Sequence, residues 1–230
     1  MSWVLEIAAK GHARLSARSH AWFQRNALRS LLSLPGILHA DIYLPMDGGV
    51  DPFVAPAAGP LFAVIVHFRT EDNLRTTISS AAFERWLALM PAGLTLTATP
   101  MSGNAYAVDE PQVEVRQTAY RYVVRYHGSS EAAASFADHY ERTHPLLLAK
   151  LPRIRAIECY RPLGVLRAPR CEPADYLIGN EVEFDSNEDL NAAMISPARV
   201  ALRADFDALP RVFRSNTHVA MRRERHHASS

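Results

Sequence analysis

Leu34-Pro35-Gly36-Ile37 returns as Leu151-Pro152-Arg153-Ile154, 117 residues further along the chain. At the same shift Tyr43 and Pro45 fall on Tyr160 and Pro162, and with one residue deleted a shift of 116 places Val66 and Phe68 on Val182 and Phe184. Asp72 then meets Glu188, Leu74 meets Leu190 and Ser80 meets Ser196. The matches keep their order through most of both halves, the mark of an internal repeat. They predict two like units in tandem.

Outward from that stretch, each half reads as strand, helix, strand, strand, helix, strand. In the second half Tyr120 to Tyr126 alternates apolar residues with Arg121 and Arg125, as a half-buried strand does. Ser129 or Ser130 can cap a helix from Glu131 to about Lys150. Strands are expected over Ile154–Arg161, Tyr176–Phe184 and Ser215–Arg222, with a helix over Asn187–Leu209. The first half offers strands at Trp3–Ala9, Leu38–Leu44, Leu61–Phe68 and Leu94–Thr99, and helices at Ser16–Leu32 and Glu71–Met90. Pro/Gly-rich loops, Pro45 to Pro60 and Pro162 to Pro173, sit at matching places. This βαββαβ order is the ferredoxin-like split βαβ arrangement. The fold class is therefore α+β, with units at 1–103 and 119–222, a linker at 104–118 and a frayed tail at 223–230.

Composition narrows the function classes. Hydrophobic residues make up 48% and charged residues 21% of 230, ordinary for a globular protein. Net charge is +1 with both signs interspersed, which predicts no nucleic-acid partner. No stretch approaches the roughly 20 apolar residues of a membrane span, and the N-terminal residues lack a signal-peptide core. With only Cys159 and Cys171, no disulfide framework is expected, and the chain suits a reducing, cytoplasmic setting.

The stretch Phe136-Ala-Asp-His-Tyr140-Glu-Arg-Thr-His144-Pro-Leu-Leu-Leu-Ala-Lys-Leu-Pro152, continued by Phe184-Asp185-Ser186 and Ser196-Pro197, resembles the EthD family of the dimeric α+β barrel superfamily. Pro145 follows His144 directly, where that family more often has one residue between. The resemblance covers about Tyr120 to Met221. It implies two ferredoxin-like units packed sheet to sheet into a barrel, here within one chain, the first half covering the open apolar sheet face of the second.

At 100° per residue, Phe136, Tyr140, His144, Leu147, Leu148 and Leu151 share one helix side, which must face the sheet. A buried His at position 144 fits a structural hydrogen bond to a backbone carbonyl as well as it fits catalysis. The first half carries Phe23 and Ala27 at the positions aligned with Tyr140 and His144, so the fold does not require those polar groups. Asn180 is the polar exception on a strand face whose counterparts are Phe62, Val64, Val66 and Phe68. His218 can face either side of its strand. Glu181 and Glu183 lie on the opposite face from Asn180, where a salt bridge to Arg121 or Arg125 is expected.

Metal and cofactor readings find little support. Glu141 and His144 have the Glu-x-x-His spacing of di-iron bundles, but no second copy exists and the fold differs. His139 and His144 stand about 140° apart around a helix. His39 and Asp41 share a strand face and could pair, and the terminal His pair belongs to the expected tail. Neither a metal nor a cofactor is expected.

These readings lead to a cofactor-free lyase or isomerase acting on a small apolar aromatic, lactone or polyketide-like molecule, chemistry that the barrel superfamily implies. His144 would be general acid/base and Tyr140 would donate to a developing oxyanion. Phe136, Tyr122 and Leu147 would line the pocket, with Asn180 and His218 binding the substrate. The alternative is a non-catalytic small-molecule-binding or accessory protein of an oxidative pathway. The fused pair could itself associate as a homodimer.

Overall fold

The computed structural model describes residues 1–12, 16–46, 51–54, 59–111, 116–128, 133–164, 166–172, 174–210 and 212–228. The expected helix cap at Ser129 or Ser130 lies outside them. In chain order the elements are β1 (Ser2–Lys10), α1 (Ser16–Asn26), α2 (Leu28–Leu32), β2 (Ile37–Pro45), β3 (Phe62–Phe68), α3 (Glu71–Ile78), α4 (Ala81–Leu87) and β4 (Thr95–Tyr106). The second half follows with β5 (Thr118–Gly128), α5 (Ala133–Leu148), β6 (Ala156–Pro162), β7 (Tyr176–Phe184), α6 (Asn187–Met194), α7 (Pro197–Ala208) and β8 (Phe213–His227).

Of the four expected long helices, only that at α5 stays whole, and the other three each break in two. Ser80 caps α4 by accepting from the Phe83 amide at 3.1 Å. Pro197, which has no amide to donate, opens α7 at its first position. The quoted turns share a backbone device: Gly36 and Arg153 both take positive φ, 78° and 59°. At Gly36 a Cβ would come within 2.4 Å of Asn73, so only glycine fits there. At the second turn Arg153 bears the left-handed conformation and pairs with Asp189 at 2.6 Å.

The eight strands form one closed antiparallel barrel, in the order β1-β3-β2-β8-β5-β7-β6-β4. Within it the halves read β4-β1-β3-β2 and β8-β5-β7-β6, the same internal order. They join edge to edge twice, at β2 with β8 and at β4 with β6, so neither half keeps an open strand edge at the seams.

The seams correct two sequence expectations. Residues 223–227 do not fray: they extend β8, with Arg225 opposite Asp41 and His227 opposite His39. Their amides and carbonyls complete the β2 edge. The expected linker is likewise partly strand, because β4 runs to Tyr106, opposite Ile157, to make the second seam.

Strand alternation separates two kinds of core. Facing outward, toward the helices, are two apolar clusters: one built on Phe23, Phe62, Phe83 and Trp86, the other on Tyr126, Phe136, Tyr140 and Phe184. Facing inward are Val4, Tyr43, Ile65, Met101 and Tyr160 together with buried charges. The inner face is thus not the apolar surface expected. Arg121 Nε meets Glu183 at 2.6 Å and its Nη1 meets Glu181 at 2.9 Å, while Arg125 Nη2 meets Glu181 at 2.6 Å. Those are the partners the alternation predicted. Charges survive in so dry a space only when paired in this way.

Candidate active site

A cavity of about 200 Å³ lies between the outer face of β5, β7 and β8 and the helices α5 to α7. Its floor follows from register. Val124 on β5 sits opposite Asn180 on β7 and opposite His218 on β8, so the three form a row across adjacent strands. Val124 belongs to the helix-side cluster and Val123 to the barrel interior, which fixes the row, and His218 with it, on the helix side. Val182, Leu148, Leu151, Met194, Leu202 and Phe206 supply apolar walls.

His144 enters from α5 and is 6% exposed. Its Nδ1 is 2.7 Å from Asp205 Oδ2 on α7. A carboxylate can only accept, so in the neutral imidazole the proton sits on Nδ1 and the lone pair on Nε2. The partner is thus a side-chain carboxylate and not the backbone carbonyl considered from sequence. The Tyr140 ring packs against the imidazole at 4.5 Å between centroids.

His218 and Asn180 bring polar atoms that no protein group meets. Both ring nitrogens of His218 and Oδ1 of Asn180 are buried without a hydrogen-bond partner in the protein. Burial pushes the His218 pKa down to about 4, aided by Arg199 and His144 and opposed by Asp51. The ring is therefore neutral at physiological pH and keeps one N–H to donate.

The far wall is closed from the first half of the chain. Asp51, in the loop between β2 and β3, accepts from Arg199 Nε at 3.0 Å, Arg199 Nη2 at 2.7 Å and the Tyr122 hydroxyl at 2.7 Å. Phe53 lies under the Arg199 guanidinium, 5.2 Å from ring centroid to carbon, and its carbonyl accepts from Arg203. Phe53 and Val54 both reach the cavity.

Of the residues anticipated from sequence, His144, Tyr122, Asn180 and His218 line the cavity. Tyr140, Phe136 and Leu147 do not. Tyr140 is fully buried behind the wall, where its oxygen accepts from Asn180 Nδ2 and its hydroxyl couples to Tyr126. Phe136 packs among Tyr126, Tyr140 and Phe213. Leu147 is half-buried one position short of the lining residue Leu148. Sequence reasoning missed Asp205, Asp51 and Arg199. Asp205 has no local signal except an acid inside an amphipathic helix, and Asp51 lies 148 residues from Arg199.

The corresponding space in the first half is filled. Phe23, Phe62 and Trp86 pack together there, and the Trp86 indole donates to the Ala27 carbonyl at 2.9 Å. At the 116 shift Trp86 corresponds to Leu202, so a smaller side chain stands where the cavity opens. Among the described residues, the cavity holds no cluster of three metal-ligating side chains.

No family model matches the chain, and no curated protein matches it. Among solved structures, an anthrone oxidase-like protein is similar over 100% of this chain and 94% of its own, with TM-score 0.69 and 14% identity. A monooxygenase-like protein of Lactobacillus acidophilus is similar over 97% and 94%, with TM-score 0.52 and 10% identity. An ethyl tert-butyl ether D (EthD) family protein of Bacillus halodurans aligns with 44% of this chain and 95% of its own, at TM-score 0.35 and 22% identity. At such identities the first two likenesses establish the fold, and the last is too distant to argue from. No described helix is long and apolar enough to cross a membrane.

Proposed function

We propose that the chain is a cofactor-free acid–base enzyme of the lyase or isomerase kind, removing a proton from an acidic C–H of a small aromatic or polyketide-like ketone. The observation that carries this reading is the His144–Asp205 pair at a mainly apolar cavity, with neutral His218 on the same surface. His144 Nε2 takes the proton. Asp205 holds the tautomer and offsets the imidazolium charge that forms. The N–H of His218 donates to the enolate oxygen, a role for which a neutral imidazole is suited because it gives up no proton of its own. Tyr140, expected to do this, instead positions Asn180 and supports the His144 ring. Proton removal opens isomerisation, dehydration and cofactor-free oxygenation alike, so the names of the similar structures fit without deciding among them.

The cavity is smaller than the roughly 300–1,000 Å³ of pockets that hold drug-sized ligands, which limits the substrate to one or two rings. Several element bounds of the halves match at the shifts found in the sequence: Glu71 and Asn187, Ala81 and Pro197, and Phe68 and Phe184 at 116, and Pro45 and Pro162 at 117. This supports a tandem repeat in which one copy kept a packed core and the other opened a site.

Proton exchange tests the reading before any product is known. 2-Tetralone, a bicyclic carbon acid, is incubated with the protein in D₂O and its exchange followed by NMR. Exchange faster than buffer, lost in His144→Ala and reduced in Asp205→Asn, is the expected result. If the ketone binds in the cavity and no exchange is catalysed, the chain is the binding protein of the alternative reading.

A further inference from the structure

At the other end of the molecule's chemistry, inside the barrel, three potential ligands converge with no role in the site above. His39 on β2 sits opposite His67 on β3 in the register, and Asp41 follows two residues along the same strand face. One ligand atom from each lies within 4.8 Å of the others. Nε2 of His39 and Nε2 of His67 are both buried without a hydrogen-bond partner, and His67 is 7% exposed. His67 Nε2 stands 3.6 Å from Asp41 Oδ2, too far for a hydrogen bond. Two ligands of one tetrahedral ion, each about 2.1 Å from it, are separated by about 3.4 Å. We propose that His39, His67 and Asp41 form a binding site for a divalent first-row transition ion such as Zn²⁺.

The charge of the barrel summed over its interior leaves room for a cation, with the Arg225 and Arg223 guanidiniums the nearest charges to Asp41. The barrel's paired charges comprise five carboxylates, Glu6, Asp41, Glu158, Glu181 and Glu183, against four guanidiniums, Arg121, Arg125, Arg223 and Arg225. One negative charge is left over when both histidines are neutral. Arg225 clamps the carboxylate, Nε to Oδ1 at 2.7 Å and Nη2 to Oδ2 at 2.6 Å, and so fixes its orientation as the outer partners of metal-bound carboxylates do. Two imidazoles and one carboxylate are a borderline donor set that suits Zn²⁺ or Co²⁺ over Ca²⁺ or Mg²⁺. The rings now stack with centroids 4.1 Å apart, so a shared ion requires them to turn about their Cβ–Cγ bonds. Bound there, it ties β2 to β3 at the end of the barrel where β8 finishes. Exposed His227, on the neighbouring strand, marks the mouth.

Tag-free protein, stripped with chelator, is titrated with Zn²⁺ by calorimetry and with Co²⁺ by visible absorption. One ion per chain, a melting temperature raised by Zn²⁺, and affinity weakened at least ~10-fold in both His39→Ala and His67→Ala are the expected results. Circular dichroism of each variant without metal establishes that it is folded. His139→Ala, half-buried on α5, must leave binding intact. The proposal is overturned if wild-type protein takes up no ion, if the folded His39 and His67 variants bind as wild type does, or if His227→Ala alone removes binding.

Discussion

His218 carries the clearest acid sensitivity in the site. Its pKa is about 4 in the folded protein against an ordinary 6.5, because burial disfavours the imidazolium. Above pH 6.5 both states are neutral and its contribution to stability is fully present. As pH falls from 6.5 to 4 only the unfolded chain takes up the proton, so that stability is lost, by roughly 3 kcal/mol across the window. His218→Phe is expected to flatten the decline between pH 7 and pH 5 in urea titrations, while abolishing exchange of the ketone. Tyr140→Phe removes one partner of a buried hydrogen bond. The lost oxygen leaves the buried Asn180 amide without an acceptor, so melts should show about 1–3 kcal/mol of destabilisation and not an unchanged fold. That positions 140, 144 and 180 carry polar groups the fold does not need was legible from Phe23, Ala27 and Val64 in the other half. Which of them reach the cavity was not, since one helical step separates Leu147 from Leu148 and a wall separates Tyr140 from the open space.

At the level of elements, the two shifts located strands and helices closely because alternation and helix periodicity act over a few residues. The breaks at Ser80 and Pro197 were visible as residues yet read as interior positions of longer helices. Asp205 stayed hidden because its meaning depends on how α7 packs across α5, a contact 61 residues distant. The opening of the cavity is likewise an inter-element property, the substitution of Leu202 for the Trp86 of the other half. Restoring bulk tests it. Leu202→Trp is expected to abolish binding of 2-naphthol, followed by its fluorescence, at a stability cost of no more than about 1–3 kcal/mol. Undiminished binding would mean that the aromatic ligand sits elsewhere.

For the whole molecule, closure into one barrel explains why buried charges face inward in pairs and why residues 223–227 are strand. The pairs of Arg121 and Arg125 with Glu181 and Glu183 were legible in the strand alternation, but the strand at 223–227 was not, because Arg223 and Arg225 look like part of a polar tail. Their partners, Glu183 at 3.1 Å and Asp41 at 2.6 Å, come from β7 and from the other half. Glu181 joins both central arginines and the Tyr43 hydroxyl, at 2.7 Å. Glu181→Ala leaves those charges buried and short of a partner, so a loss of about 3–5 kcal/mol is expected. That corresponds to a drop in Tm of roughly 2–4 °C for each kcal/mol. The same closure places Asp51 of one half against Arg199 of the other and seals the cavity on which the functional account rests. The most direct test of that account is ¹⁵N NMR of the histidine rings, without and with 2-naphthol as a mimic of the enol. The account predicts His144 protonated at Nδ1 in the free protein, with 2-naphthol shifting His144 Nε2 and His218 together. A His144 proton on Nε2, or bound naphthol that leaves both rings unshifted, would contradict it.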